Sequence, residues 1–381
     1  MTLDPAAPER EPTSRRQLVG QGLILASLLA VLVMAISPAP YVVERPGPVY
    51  DTLGTTEVEG ETTPVIAIDG APTYPTDGRL DLLTVYIDGS RDNPIDWFQV
   101  IGAWLDPRRA VVPIDLVYPE GQTEEQSDEE NALAMQASQQ AATAAALDEL
   151  GIDVDSIVTV LGVTEGDPAD GVLEPGDEIL TIDGSPIASD AALREVIADA
   201  GVGTELELGI RRDGVERTVT VTTAPRSASD DSPIIGVLPG LMFDFPFEVA
   251  IHLQDVGGPS AGMMFALGIY DTLTPGALTG GEHVAGTGTI DADGAVGPIG
   301  GIRQKMFGAK DAGADWFLAP EANCSEVVGH VPDGLRVFAV SSFDEALEVV
   351  RAIGEGRRPT VSRAAGDAVG TAPRAPSAAR P

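Results

Sequence analysis

A glycine-rich turn around Ser260 is the part of the sequence with the clearest potential for chemistry. It reads Gly-Pro-Ser-Ala-Gly over residues 258–262, between a strand-like segment and a helix predicted at Ala261–Leu273. Glycines let a backbone approach a ligand closely, and free amides at a helix N-terminus can stabilise an oxyanion. Ser260 is therefore a candidate nucleophile, although the same turn is also typical of an ordinary helix N-cap.

A serine nucleophile needs a base, and the basic residues of this chain narrow the choice. Among 23 Lys plus Arg, only Lys305 and Lys310 are lysine. Arginine stays protonated near neutral pH, whereas a buried lysine can lose its proton. The histidines keep a Ser-His-Asp triad open as an alternative, because triad members need not be adjacent in sequence; they are His252, His283 and His330.

Helical geometry separates the two lysines. On a helix that follows Gly300-Gly301, Lys305 shares the apolar face with Ile302 and Met306, while Lys310 falls at the polar edge. Burial would lower the pKa of Lys305, as a general base requires. The alternative is a snorkelling side chain that buries its stem and keeps its charge in water.

Charge and cysteine content exclude several classes of function. The chain has 381 residues, with 59 Asp plus Glu and a formal net charge of −36. A nucleic-acid binder is disfavoured because phosphate neutralisation needs cations. Cys324 is the single cysteine, so no intramolecular disulfide can form and a zinc site built on several thiolates is excluded. We expect no metal and no cofactor.

An uncharged segment near the N-terminus predicts a membrane helix. Residues 18–36 contain no charge, and 19 residues give about 28 Å of helix, roughly one hydrocarbon core. Arg10, Arg15 and Arg16 precede the segment, which places the N-terminus in the cytoplasm and the rest of the chain outside. A cleaved signal peptide is the alternative, although its apolar region usually has only about 7–15 residues.

Residues 41–150 read as a small mixed α/β region. The patterns predict strands at Val65–Ile68 and Leu80–Ile87 and a short helix at Asn93–Leu105. A longer, alanine-rich helix would begin at a capping box of Ser127 and Glu130 and end at Leu150. We interpret that helix as a packing element.

Residues 151–226 resemble a bacterial-type PDZ domain. The resemblance rests on Gly166-Asp167-Pro168-Ala169, the run 171–180 (GVLEPGDEIL), the run 182–187 (IDGSPI) and Arg212-Asp213-Gly214. Predicted strands are Ile157–Val163, Glu178–Ile182, Glu205–Arg211 and Val215–Thr222, with a helix at Ser189–Ala200. The resemblance implies a peptide groove that captures C-termini, with the amides of 150–152 as a candidate carboxylate nest. A spacer role is the alternative.

A polar linker at 226–232 precedes a third unit at 233–353, and a disordered tail is predicted at 354–381. In the third unit, apolar residues alternate with mostly polar ones over Phe243–Leu253. This alternation predicts a half-buried strand that leads to Ser260.

The third unit resembles the proteolytic domain of the Lon family of serine proteases. The matching runs are 258–262 (GPSAG), 285–288 (AGTG) and 294–305 (GAVGPIGGIRQK), with Ser260 and Lys305 45 positions apart. The resemblance implies a Ser-Lys dyad with Ser260 as nucleophile, Lys305 as base and Thr287 holding the lysine. We expect the backbone amides of Gly258 and Ser260 to hold the oxyanion.

Two features depart from the Lon pattern. Lon proteases usually have Asp three residues before the serine, where this chain has Gly257. No phosphate-binding G-x-x-x-x-G-K-[ST] motif is present in the sequence either, so ATP-driven unfolding by this chain is not expected.

The whole pattern is similar to the membrane-anchored, PDZ-containing Lon-like proteases of Gram-positive, actinobacterial organisms. It predicts an α+β multidomain chain: cytoplasmic residues 1–17, a transmembrane signal anchor at 18–37, the mixed region at 41–150, a PDZ domain at 151–226, a Lon-type proteolytic domain at 233–353 and the tail.

The expected function is ATP-independent endopeptidase action on unfolded or PDZ-presented polypeptides outside the cytoplasmic membrane. Expected partners are polypeptide substrates, peptide C-termini and the membrane; nucleic acid and ATP are not expected. A homo-oligomer is also considered, because Lon-type domains often form rings. The alternative is a catalytically inert PDZ adaptor at the membrane.

Overall fold

The computed structural model describes residues 15–58, 60–118, 124–187, 189–227, 230–253 and 256–359. The described residues form two compact units, one within Met1–Pro46 and Val85–Glu124, the other within Gly47–Thr84 and Glu125–Pro381. Most of the predicted tail therefore lies outside the described residues, as do most of residues 1–17.

The first elements in chain order run from the N-terminal helix to the long helix before the PDZ region. They are α1 (Arg15–Ile36), β1 (Tyr41–Asp51), β2 (Thr55–Val58), β3 (Glu61–Pro64), β4 (Ile66–Asp69), β5 (Arg79–Asp88), α2 (Trp97–Trp104), β6 (Ala110–Pro113), α3 (Ile114–Val117) and α4 (Glu124–Glu149).

The middle elements form the PDZ region and its continuation. They are β7 (Asp155–Val163), β8 (Glu178–Ile182), β9 (Ser185–Pro186), α5 (Asp190–Ala200), β10 (Glu205–Arg212), β11 (Val215–Thr222), β12 (Ala224–Ser227), β13 (Asp230–Ile234) and β14 (Val237–Asp244).

The last elements carry the serine turn and the lysine helix. They are β15 (Glu248–Ile251), α6 (Gly262–Leu273), β16 (His283–Gly286), β17 (Thr289–Ile290), β18 (Val296–Gly297), α7 (Ile302–Asp311), β19 (Trp316–Pro320), a 3₁₀ turn (Glu321–Asn323), α8 (Cys324–Val327), β20 (Arg336–Val340) and α9 (Phe343–Gly354).

The first unit combines α1 with a small packed region. Strand β6 pairs antiparallel with the start of β1, from Tyr41 opposite Pro113 to Glu44 opposite Ala110. Asp96 caps α2, because its carboxylate accepts hydrogen bonds from two amides of the first turn. A small core holds this unit together; its buried members are Ala39, Val43, Ile95, Val100 and Ala103.

The PDZ region of the second unit is a sheet in the order β11-β10-β8-β7-β14. Its core joins strand residues such as Val158 and Ile210 to Leu193 of α5. Ser189 caps that helix, because its Oγ accepts a hydrogen bond from the amide of Ala192. An ion pair also forms here: Arg212 donates from Nε and Nη2 to the two carboxylate oxygens of buried Asp177, both at 2.6 Å.

The rest of the second unit is a sheet with helices on both faces. Strands β20, β19, β16 and β5 are consecutive and parallel, followed by β1. Alternate strand residues pack on opposite faces: Val284 and Leu318 join the cluster of α6 and α9, whereas Ala285 and Phe317 join the cluster of α7. The observed architecture is α+β, as predicted.

Three local predictions are wrong. Ser127 lies inside α4 and does not cap it, because the helix is already formed at Glu124. The strand predicted over Phe243–Leu253 is two strands, β14 and β15, which pair with different partners. The linker predicted at 226–232 contains parts of β12 and β13, which pair as a hairpin; residues 228 and 229 lie outside the described residues.

Helix α1 agrees with the predicted apolar segment. Within the described residues, its stretch Val19–Ile36 is long and apolar enough to cross a membrane, with a mean hydropathy of 2.4 and no burial inside the protein. A signal sequence near the N-terminus meets the same criteria.

Candidate active site

The predicted nucleophile and base lie within hydrogen-bonding distance of each other. Lys305 donates from Nζ to Oγ of Ser260 at 2.7 Å, although 45 residues separate the two in the chain. Ser260 lies just before α6, and Lys305 lies in α7. Two helices from opposite faces of the sheet thus bring together the two groups that nucleophilic catalysis needs.

Thr287 connects both partners of this contact. Its Oγ1 accepts a hydrogen bond from Nζ of Lys305 at 3.0 Å and donates to the backbone oxygen of Ser260 at 2.9 Å. The amide of Gly288 donates to the same oxygen, also at 2.9 Å. Because Thr287 and Gly288 directly follow β16, the end of this central strand fixes the position of the serine turn.

Burial distinguishes the two lysines as the sequence predicts. Lys305 is 2 % exposed and packs in α7 among Ile302, Met306 and Ala309, which are fully buried. Lys310 instead lies near the surface, where Nζ donates to a backbone oxygen of a neighbouring loop. A buried amine with few water contacts is suited to proton transfer at its hydrogen-bonded neighbour.

Helix α4 supports the serine turn from the outside, a contact that the sequence patterns did not predict. Ser138 donates from Oγ to the backbone oxygen of Pro259 at 3.0 Å, and the amide of Gly258 donates to the backbone oxygen of Asn131 at 2.9 Å. Asn131 and Ser138 are seven residues apart and therefore share one face of the helix. That spacing is the only signal in the sequence that could have indicated the contact.

The close approach of α4 also explains Gly257. A Cβ at this position would lie 2.9 Å from Cβ of Asn131, so a side chain there would collide with the helix. Gly257, which stands where the Lon pattern has aspartate, therefore fits the close approach of α4 in this chain.

The predicted oxyanion donors have different surroundings. The amide of Gly258 is already used by the backbone oxygen of Asn131, which directs the first predicted donor away from a substrate. Ser260 lies two residues before Gly262, the first residue of α6, and is therefore close to the positive end of the helix dipole. The amide of Ser260 stays the predicted donor of this turn.

The histidines contact other groups. Nε2 of His283 lies 2.5 Å from Oδ2 of buried Asp81, whereas Nδ1 of His252 lies near the backbone oxygen of Pro64. Nδ1 of His330 lies near a backbone oxygen two residues earlier. The structure thus places Lys305, and not one of these imidazoles, beside the serine.

Strand β14 forms one edge of the PDZ sheet. It ends the sheet order beside β7, and α5 contacts both β13 and β14. Gly236, in the turn between these two strands, has a left-handed φ of 78°. The strand and the helix are therefore neighbours at this edge, with a glycine turn leading into the strand.

The carboxylate nest predicted at residues 150–152 is wrong. The amides of Gly151 and Ile152 donate to the backbone oxygens of Asp148 and Leu147, where they close the C-terminus of α4. These donors are satisfied within the helix end and cannot also hold a carboxylate.

Comparison with known protein families agrees with both domains. Residues 137–223 match the PDZ domain family, and residues 247–352 match the Lon protease (S16) C-terminal proteolytic domain. The chain contains a PDZ domain and a Lon-type proteolytic domain. Ser260, Thr287 and Lys305 all lie within the Lon-type match, whereas Asn131 lies outside both matches.

Individual relatives share only part of their length with this chain. Lon protease 2 of Bacillus subtilis is 34 % identical over 110 residues, which is 28 % of this chain and 19 % of that protein. Lon protease 1 of the same organism is 28 % identical over 189 residues, or 47 % of this chain and 24 % of that protein. The chain thus spans about a fifth to a quarter of the length of these relatives.

One solved structure similar to part of this chain is the PDZ domain of the SdrC-like protein from Listeria innocua. It is 28 % identical and covers 22 % of this chain and 92 % of that chain, with a TM-score of 0.21.

Proposed function

We propose that the chain is an ATP-independent serine endopeptidase, anchored to the membrane by α1 and acting on unfolded polypeptides outside the cytoplasm. The single observation that carries the proposal is the 2.7 Å contact between Nζ of Lys305 and Oγ of Ser260. The Lon-type proteolytic domain match supports the same reaction class.

The chemistry proceeds in two steps. The neutral amine of Lys305 accepts the proton of Ser260 as Oγ attacks the scissile carbonyl, and the resulting ammonium protonates the leaving amine. In the second step the neutral amine of Lys305 takes a proton from water as the water oxygen attacks the acyl carbon. The ester bond to Ser260 then breaks, Lys305 returns the proton to Oγ, and the carboxylic acid product leaves. Thr287 keeps Nζ in place through both steps, because it bonds the lysine and the serine backbone together.

The PDZ domain would present substrates along β14. An extended peptide can add to a sheet edge through main-chain hydrogen bonds, and α5 would form the other wall of the groove. Support comes from the position of β14 at the edge of the sheet and from the contact of α5 with it.

A matched set of lysine and serine variants tests the proposal. The full chain is reconstituted in lipid nanodiscs and incubated with an unfolded protein, beside Ser260→Ala, Lys305→Ala and Lys310→Ala. We expect the first two variants to lose cleavage and the third to retain it, since Lys310 lies near the surface in the same helix. Equal cleavage by all variants would remove the dyad, and no cleavage by the wild-type chain would favour the inert adaptor.

A further inference from the structure

Helix α2 is apolar on the side that faces away from its own unit. Val100 and Ala103 point inwards and are at most 1 % exposed. On the outside, Phe98 is 44 %, Trp104 62 % and Leu105 82 % exposed. A helix at a protein–water surface normally has a polar outer face, so these residues indicate a different environment.

The sequence of this helix contains no charged residue that would make its outer face polar. From Trp97 to Leu105 it reads WFQVIGAWL, with Gln99 as its one hydrogen-bonding polar side chain apart from the two indoles. Trp97 packs edge-on against Tyr41 at a centroid distance of 6.0 Å, so it belongs to the fold of the unit. Trp104 is exposed and does not belong to the buried core of the unit.

The end of α1 determines where this face lies. Helix α1 contacts α2, and Pro38, two residues after α1, forms a β-bridge with Asp96, the cap of α2. The amide of Ala39 donates to the backbone oxygen of Ile95 at 2.9 Å. The beginning of α2 is therefore tied to the point at which the apolar segment of α1 ends.

Dimensions then leave little freedom. The polar interface of a bilayer is about 5–8 Å thick on each side of the hydrocarbon core. Helix α2 has 8 residues and is about 12 Å long, so it begins at that boundary and none of its residues lies more than about 12 Å along its axis from it. Tryptophan is enriched at this level of a membrane, because its ring is apolar and its N–H can bond to water or headgroups.

We propose that α2 is an interfacial helix whose outer face of Phe98, Trp104 and Leu105 lies in the headgroup region of the bilayer that α1 spans. This inference rests on the proposed membrane anchor. It adds a second contact, which would fix the orientation of the first unit on the membrane surface where a single spanning helix would leave it free to rotate.

Lipid-depth quenching in nanodiscs tests the proposal. The full chain with Trp97→Phe and Trp316→Phe keeps Trp104 as its only tryptophan, and the chain with Trp97→Phe and Trp104→Phe keeps Trp316 as a matched control. With lipids brominated near the headgroup end of the acyl chain, we expect Trp104 to be quenched at least about twofold more than Trp316, because an interfacial face enters about 5–10 Å.

A second reporter covers the case in which Trp97→Phe disturbs the fold. A nitroxide at Phe98→Cys, in a Cys324→Ser background, reports depth by its accessibility to oxygen and to a polar nickel complex. We expect this nitroxide to be more accessible to oxygen than to the nickel complex. Quenching of Trp104 fluorescence by aqueous iodide but not by brominated lipid would overturn the proposal. Quenching by neither would also overturn it, because it would indicate that Trp104 is covered by protein.

The anchor itself is measured separately by alkaline carbonate extraction. A chain that resists extraction but shows no quenching of Trp104 contradicts the interfacial helix alone. A chain that carbonate removes contradicts the anchor and, with it, the proposal for α2. Neither result depends on peptidase activity, so the Ser-Lys dyad is tested independently.

Discussion

Thr287 shows how a single side chain can hold a catalytic pair without reacting itself. Its hydroxyl accepts a hydrogen bond from Lys305 and donates one to the backbone oxygen of Ser260. The same buried side chain therefore positions both members of the dyad. The residue is fully buried, and water cannot replace its hydroxyl.

Replacement of Thr287 by valine should therefore act on chemistry. Valine keeps the shape but loses both hydrogen bonds, and we expect kcat to fall about 100-fold with KM little changed, because small misplacements of reacting groups are costly. Steady-state kinetics on a fluorogenic peptide measure both constants. Thr287→Ser keeps the hydroxyl and should restore most of the rate; equal losses in the two variants would contradict a positioning role.

The ion pair in the PDZ domain predicts a pH dependence of stability. Burial alone would raise the pKa of Asp177, but Arg212 and the amide of Glu174 outweigh it and hold the pKa below its usual value. The folded state therefore binds fewer protons than the unfolded state near the usual pKa of about 3.9. This stabilisation is present above that pH and is lost as the pH falls through the folded pKa.

Asp177→Asn should remove that contribution. We expect a loss of about 3 kcal/mol at pH 7, which shrinks below about pH 4. The free energy of unfolding is measured by urea titration, with hydrogen exchange of the β8 and β10 amides as the probe of unfolding. Glu216→Gln is the control, since Glu216 pairs with Arg211 at the surface and is 71 % exposed. A pH-independent difference would contradict the assignment to Asp177.

At the scale of elements, α4 is the one whose role the sequence did not reveal. Its alanines indicate packing, and Ala142, Ala145 and Ala146 in its second half do belong to the hydrophobic core. The contacts of Asn131 and Ser138 with the serine turn depend on tertiary placement, which residue order does not encode. By contrast, the helix of Lys305 and the buried side of that lysine could be predicted, because the apolar face and the glycines before the helix are local features.

Ser138→Ala tests the support that α4 gives. Loss of the hydrogen bond to Pro259 should let the turn move, and we expect kcat to fall about 10-fold with little change in thermal stability. Thr143→Val is a matched control: Thr143 is as buried, on the same helix, but its hydroxyl bonds to Gln139 within the helix. The rate at which a fluorophosphonate labels Ser260 should follow kcat; unchanged labelling would contradict the positioning role.

The division of residues 243–253 into β14 and β15 shows a second limit of sequence patterns. Alternation predicted one strand and was correct for the exposure of many residues. It could not show that the chain changes partner, from β7 in the PDZ sheet to β4 beside the Lon-type core. Partner choice depends on long-range contacts, so the connection between the two domains became visible only in the structure.

At the scale of the whole molecule, two segments join the PDZ domain to the catalytic turn. Helix α4 contacts the turn and leads into β7, and β14 continues through β15 towards Ser260. A polypeptide held at the edge of β14 would therefore pair with a strand whose chain continues, after β15, to the serine turn. This arrangement predicts that the PDZ domain increases the local concentration of long substrates at the dyad. Short peptides, which bind at the dyad without the PDZ domain, should not be affected.

A competitor peptide distinguishes these two routes. A short peptide with an apolar C-terminal residue and a free carboxylate should inhibit cleavage of an unfolded protein that ends in the same sequence, whereas turnover of a short internal fluorogenic peptide should not change. The C-terminally amidated peptide is the control, because it lacks the charge that backbone amides would hold. Equal inhibition by both peptides, or inhibition of both substrates, would show that the competitor acts at the dyad and that β14 does not present substrates.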